Sequence, residues 1–134
     1  MFIDTSALIA ILAVEIDRDV FSRAIQNTNV KFISGLVRLE AIMVLTRINR
    51  NTPQKNMQVF DQLVQRGNIE CIDLSHEIST MAIEAFSKFG KGRGHPAQLN
   101  LSDCMSYAAA KYYRLPLLCK GDDFAKTDIA LVTF

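Results

Sequence analysis

Four short apolar runs, each separated from the next by one or two helical segments, constrain this chain more than any other feature. Met1-Phe2-Ile3, Val30 to Ser34, Ile69 to Leu74 and Leu115 to Cys119 are brief, bounded by polar or turn-forming residues, and read as core strands. Strands joined by helical crossovers pair in parallel and need cover on both sides. The expected fold is therefore an α/β three-layer sandwich, a mostly parallel central sheet with helices on both faces. With 134 residues of which 49% are apolar, a single domain over residues 1–134 has enough material for a core without staples.

The helical segments have recognisable starts. Asp4-Thr5-Ser6 leads into Ala7-Leu8-Ile9-Ala10-Ile11-Leu12, and Asp17 to Gln26 places Val20, Phe21, Ala24 and Ile25 on one face. Leu36 to Ile48 is apolar almost all round, which predicts an interior helix. Thr52-Pro53 opens a surface helix running to Arg66, with Met57, Phe60 and Val64 inward and Gly67 at its end. Ser75 caps a helix with Ile78, Met81, Ala82, Ala85, Phe86 and Phe89 in regular three-four spacing. Asn100 or Ser102 caps the last, whose predicted buried stripe is Leu101, Cys104, Met105, Ala108 and Tyr112, with Asp103 in the first turn off that stripe.

Charge decides little. Fifteen Lys and Arg against fourteen Asp and Glu leave a net +1, so any contact with a polyanion must come from a local cluster. Cys71, Cys104 and Cys119 are odd in number, widely spaced and set in apolar runs, which predicts buried reduced thiols in a cytoplasmic protein. The N-terminal apolar run lacks a basic leader and contains Asp4, unlike a signal sequence, and no stretch is long enough to cross a bilayer.

The acids carry the chemical signal. Asp4 follows the first strand directly, and in an open α/β sheet the reactive groups lie just beyond the carboxyl ends of the strands. A carboxylate in so apolar a setting is costly unless hydrogen-bonded, paired or bound to a cation. The alternative is that Asp4 only caps the helix, and this stretch alone does not separate the two. Glu40 is the anomaly of the apolar helix, with Arg38 and Arg47 as possible neutralising partners. Asp103 starts another helix, where a carboxylate is favourable in any case. Asp122 and Asp123 follow the final strand. In a parallel sheet these acids come to one edge, and gathered without basic partners they would bind a hard divalent cation, Mg²⁺ or Mn²⁺. Thr5 and Ser6 stand beside Asp4 as candidate helper hydroxyls.

Gly90-Lys91-Gly92-Arg93-Gly94-His95-Pro96 concentrates positive character in a glycine-rich loop that lacks the order of a P-loop. Lys91, Arg93, His95 and, after the last strand, Lys120 are candidates for contacts to substrate phosphates, with a solvated loop as the alternative.

Taken together these residues resemble the PIN-domain ribonucleases, and within them the VapC-type toxins of bacterial toxin–antitoxin pairs. The resemblance runs along nearly the whole chain: Phe2-Ile3-Asp4-Thr5-Ser6-Ala7, Leu39-Glu40, Gly90 to Arg93 with His95-Pro96, Leu99-Asn100 to Asp103-Cys104 followed by Tyr107-Ala108, then Lys120 to Phe124 and Thr127-Asp128-Ile129. It implies a Mg²⁺-dependent endoribonuclease, in which Mn²⁺ can substitute and Asp4, Glu40 and Asp103 are metal-binding acids. Asp122 and Asp123 compete for the fourth place, Asp123 being favoured. It implies further an RNA substrate, a cognate VapB-type antitoxin and a toxin homodimer. One departure is Ser102, where toxins of this subgroup more often have glycine before the Asp-Cys pair.

Three other readings fit less well. A phosphoacceptor signalling domain wants an acidic pair after the first strand, where only Asp4 stands. An aspartate-nucleophile phosphatase wants a second Asp at the position of Ser6. A PIN-fold RNA-binding or RNA-processing protein outside a toxin pair keeps the fold, and a lost acid would mark a non-catalytic relative. Every acid is present here.

Overall fold

The computed structural model describes all of residues 1–134. Its four strands, β1 (Phe2–Ile3), β2 (Phe32–Ser34), β3 (Glu70–Ile72) and β4 (Leu117–Leu118), form one sheet in the order β3-β2-β1-β4. All three pairings are parallel, with Phe2 opposite both Phe32 and Leu117 and Ile33 opposite Cys71. Beyond β4, Leu131 adds a further parallel bridge to Leu117. Parallel sheets are covered on both faces, and the centre of this one is accordingly closed: Phe2, Ile3, Ile33, Leu117 and Leu118 are all buried.

The helices are α1 (Thr5–Leu12), α2 (Arg18–Gln26), α3 (Gly35–Asn49), α4 (Pro53–Arg66), α5 (His76–Phe89) and α6 (Leu101–Tyr112), with a short 3-10 turn at Phe124–Lys126. Their starts are made by side-chain caps: Asp4 for α1, Ser34 for α3, Thr52 with Pro53 for α4, Ser75 for α5 and Asn100 for α6. Asn100 is therefore the cap of α6, and Ser102 lies one residue inside the helix.

Three expectations about packing are corrected. Helix α3 is not interior on all sides. It buries three residues at four-residue spacing, Val37, Ala41 and Leu45, while Leu39, Met43 and Ile48 are each more than half exposed, because no element of the chain covers its outer face. On α6 the buried surface is broader than the predicted stripe and turned from it: Ser102, Cys104, Ser106, Tyr107 and Ala108 to Ala110 are inside, whereas Leu101 is 74% exposed and Tyr112 is also exposed. Small side chains let this helix approach α3, α5 and the sheet closely, so it is enclosed by size and not by hydrophobicity. On α4 the place expected for Met57 belongs to Asn56, fully buried and bonded to Asn49 and Thr46 of α3.

Among the cysteines, all three are free, but only Cys104 is fully buried. Cys71, at the outer strand β3, is exposed.

Candidate functional site

The chain order produces the site. From β1 the chain moves outward to β2 and β3, then returns across the sheet to β4 on the other side of β1, so the connections diverge between β1 and β4. A crevice opens at the carboxyl ends of the strands at such a point. Asp4 follows β1 there, its amide bonded to the Leu118 carbonyl of β4 at 2.9 Å.

Asp4 is only 3% exposed. Its Oδ2 accepts from the Ser6 amide at 3.0 Å and the Ser6 hydroxyl at 2.6 Å, so it does cap α1. The cap accounts for one oxygen. The other, Oδ1, is buried with no hydrogen-bond partner. Burial raises its carboxyl above the ordinary carboxylate range and nearby Glu40 adds to this, against the opposing Ser6 bonds. The buried Ser106 hydroxyl is close enough to favour the ionised form but stops short of a hydrogen bond.

Glu40, half-buried on α3, has no basic partner. Arg38 is committed to Asp61 of α4 through two bonds of 2.8 Å each. Glu40 Oε2 instead accepts two hydroxyls, Thr5 Oγ1 at 2.5 Å and Ser102 Oγ at 2.5 Å. Asp103 belongs to a capping box, in which Asn100 accepts from the Asp103 amide at 2.8 Å and Asp103 Oδ2 accepts from the Asn100 amide at 2.9 Å. Its carboxyl is pushed up to about 6, chiefly by burial and further by the charges of Asp4, Glu40 and Asp123.

Asp123 is near enough for its charge to act on Asp103. Asp123 stands at the start of the 3-10 turn, half-exposed and loosely paired with Lys126 at 3.5 Å. Cys119 is also within the field of this edge, its thiol pushed up to about 12 by burial, Asp4 and Asp103. The chemistry of the edge is thus several carboxylates and hydroxyl donors, with no Lys or Arg ion-paired to Asp4, Glu40 or Asp103 and only Lys126 reaching the set, at Asp123. No three His, Cys, Asp or Glu side chains come together as a ready metal cage. A hard cation that keeps several waters needs no such cage, and the bare Asp4 Oδ1 is a buried acceptor suited to it.

The basic candidates are spread differently. Lys91 and Arg93 are exposed on a loop closed at its base by Lys91 N–H to the Leu99 carbonyl and Leu99 N–H to the Phe89 carbonyl, both 2.9 Å. Gly92 and Gly94 have φ of +81° and +80°, a backbone that side-chain-bearing residues rarely adopt. Arg93 lies over the Phe86 ring. His95 serves the loop itself, its Nδ1 accepting from the Ala97 amide at 3.1 Å and its ring set edgewise on Phe89. Lys120 is not free: its ammonium bonds Glu15 and, at 2.9 Å, Asp17. Its backbone amide donates to Ser6 Oγ at 2.9 Å, which holds the hydroxyl that in turn holds Asp4.

The PIN-domain family model matches residues 1–130. The chain belongs to the PIN-domain family. Within it the resemblance to VapC ribonucleases is extensive. Ribonuclease VapC28 of Mycobacterium tuberculosis is 37% identical over 129 residues, covering 96% of this chain and 95% of its own. A VapC ribonuclease of Rhizobium meliloti is 32% identical over 139 residues, covering 96% and 98%. Among solved structures, VapC20 of M. tuberculosis, described as a sarcin–ricin loop cleaving toxin, superposes with a TM-score of 0.76 at 16% identity over 98% of this chain and 97% of its own. VapBC2 of Rickettsia felis, bound to a DNA fragment from its promoter, gives 0.73 at 16% identity over 98% and 96%. These structures share the PIN fold with this chain. Ser102 is the site residue that sequence reasoning passed over, since a serine near a helix start reads first as a cap; its bond to Glu40 spans 62 positions.

Proposed function

We propose that this PIN-domain protein is the ribonuclease toxin of a cytoplasmic toxin–antitoxin pair, hydrolysing RNA phosphodiester bonds with the help of Mg²⁺ or Mn²⁺. The observation that carries the reading is the Asp4 carboxylate, buried at the divergence of the sheet with one oxygen bare and other acids around it. Relatives named as VapC ribonucleases at 32–37% identity over almost the whole chain support the activity, and neighbours of the VapBC type support the antitoxin partner.

Asp4 and Asp103 would hold the cation, with Asp123 beside them. When bound, the cation supplies a hydroxide-like water at neutral pH and stabilises charge on a phosphoryl oxygen. The chain does the positioning. Ser6 fixes Asp4, the capping box fixes Asp103, and Thr5 with Ser102 fixes Glu40. Lys91 and Arg93 offer charge to flanking phosphates. Exposed apolar residues on α3, with Ile83, Phe86 and Leu101 along the groove between α5 and α6, are surface for the antitoxin or a second copy to cover.

Neither histidine can join an acid–base pair for attack by the RNA's own 2′-hydroxyl: His76 is exposed on α5 and His95 is tied into its loop. Water is then the nucleophile, and the products carry a 5′-phosphate and a free 3′-hydroxyl. Mapping RNA ends after induction, followed by mass spectrometry of the purified reaction, checks this. Cleavage should stop with chelator and return with Mg²⁺ or Mn²⁺; a 2′,3′-cyclic phosphate or chelator-resistant cleavage would refute the mechanism.

A further inference from the structure

Ser102 sits in the first turn of α6, and its hydroxyl is buried and used. Only 7% of the residue is exposed, and its Oγ donates to Glu40 Oε2 at 2.5 Å. Thr5 Oγ1 donates to the same oxygen at 2.5 Å, from α1. Two helices thus hold one oxygen of a third helix's glutamate. Glu40 Oε1 receives neither hydroxyl and is not among the buried atoms lacking partners, so it remains accessible as an acceptor.

We infer that Ser102 is a positioning residue of this site, completing with Thr5 a two-hydroxyl clamp on Glu40 Oε2 that leaves Oε1 as the oxygen presented to the divalent cation or its waters. A carboxylate on a glutamate has three rotatable bonds and usually loses precision through them. One hydroxyl fixes a distance, whereas two from different helices also fix the plane of the carboxylate. With glycine at position 102 the second donor would be absent and Glu40 would depend on Thr5 alone. Asp103 is the next residue along α6, so the same helix turn that delivers the hydroxyl delivers that carboxylate. The two acids are registered to each other through Ser102.

The inference rests on the metal-dependent reading above, and the test keeps the two apart. Mn²⁺ binding to the purified protein is measured by calorimetry and by the loss of the free-ion paramagnetic resonance signal, beside the kinetics of RNA cleavage. Ser102→Ala, Ser102→Gly and Ser102→Thr are compared, together with Ser102→Ala in a Glu40→Ala background. Removing the hydroxyl should weaken Mn²⁺ binding about 3- to 10-fold, below the usual range for an outer-shell partner because Thr5 remains. It should lower kcat by a similar factor with KM for RNA unchanged, and Ser102→Thr should restore both. In the Glu40→Ala background the effect of Ser102→Ala should vanish.

Unchanged Mn²⁺ binding and kcat in Ser102→Ala, with normal melting, would overturn the assignment while leaving the metal reading intact. So would an undiminished Ser102→Ala effect without Glu40, which would make the serine merely structural. If Ser102→Ala does not fold, failure of Ser102→Thr to keep wild-type binding and kcat overturns it equally. Absence of Mn²⁺ binding by the wild-type protein would overturn both readings together.

Discussion

Asp61 on α4 and Asp103 on α6 are carried by helices that both pack against α3, yet their surroundings are opposite. Asp61 receives the guanidinium of Arg38 through two bonds of 2.8 Å, which holds its carboxyl below the ordinary range. Asp103 receives one backbone amide and stands in the field of Asp4, Glu40 and Asp123, and its carboxyl rises to about 6. Asp128, bonded by Tyr107 and Lys111, sides with Asp61; Asp4 sides with Asp103. Arginine and lysine were available to the fold, yet none pairs with Asp4, Glu40 or Asp103, and only Lys126 reaches the edge, at Asp123. An acid set left uncompensated at a sheet's carboxyl edge is a strained arrangement that a bound cation would relieve.

The comparison breaks most visibly in catalysis. Asp4→Asn or Asp103→Asn should lower RNA cleavage by at least about 100-fold, the scale of losing a group that stabilises transition-state charge, while far-ultraviolet circular dichroism stays native. Asp61→Asn should leave cleavage within about twofold, being an exposed pair whose loss is energetically small. Equal cleavage by wild type and both edge variants would abolish the distinction between the two classes of acid.

How far the chain announced this division depends on the distance between partners. Strand positions, helix starts and the acids following β1 and β4 are local features, set by runs of a few residues and by caps such as Ser34 and Asn100. They are legible for that reason. The partner of Arg38 is not local: the sequence leaves it available to Glu40, but the packing of α3 on α4 gives it to Asp61. Lys120 reads as a free cation, yet the chain folds it onto Glu15 and Asp17, more than a hundred positions away. The outward face of α3 was hidden for a different reason. An apolar helix looks interior until the number of layers above it is known, and here there is none. On α6 the three-four pattern of large residues misled because alanines and serines admit closer packing than leucine does.

The comparison sharpens on the cationic side with the loop at Lys91 and Arg93. Because these two carry charge without a carboxylate partner, changing both to Ala should weaken RNA binding roughly tenfold at low salt. The slope of log K against log salt should fall by about 1 to 1.5, as for two lost phosphate contacts on a single strand. Fluorescence anisotropy across a salt series checks this, and an unchanged slope would return the loop to a solvated role.

A smaller effect lies in stability. An acid whose folded carboxyl sits near 6 binds its proton more tightly folded than unfolded, so it costs nothing at low pH and destabilises increasingly as pH rises from about 4 through 6. Asp103→Asn removes that cost and keeps an oxygen for the Asn100 amide. Without divalent ions, the variant should melt roughly 2–6 °C above wild type at pH 7.5, on the order of 1 kcal/mol after discounting for its partial exposure. At pH 4 the two should coincide. Scanning calorimetry in chelator at both pH values checks the sign, and a gain that persists at pH 4 would mean the change came from packing.

The smallest effect should come from Asp61, with the opposite sign. Its carboxyl is held low by the Arg38 bonds, so the pair contributes stability that is present above the ordinary carboxylate range and lost as pH falls through the lowered folded value. Both side chains are well exposed, 38% for Arg38 and 47% for Asp61, so solvent and salt screen the pair, leaving at most about 0.5–1 kcal/mol even with its two-bond geometry. Asp61→Asn should therefore lower the melting temperature slightly at pH 7.5, with the difference shrinking below about pH 4 and in molar salt. Measured on the same instrument as Asp103→Asn, it gives two aspartates on two helices packed against α3 whose neutralisation shifts stability in opposite directions with opposite pH dependence. If both substitutions moved the melting temperature the same way at pH 7.5, the presence or absence of a cation partner would not be what distinguishes them.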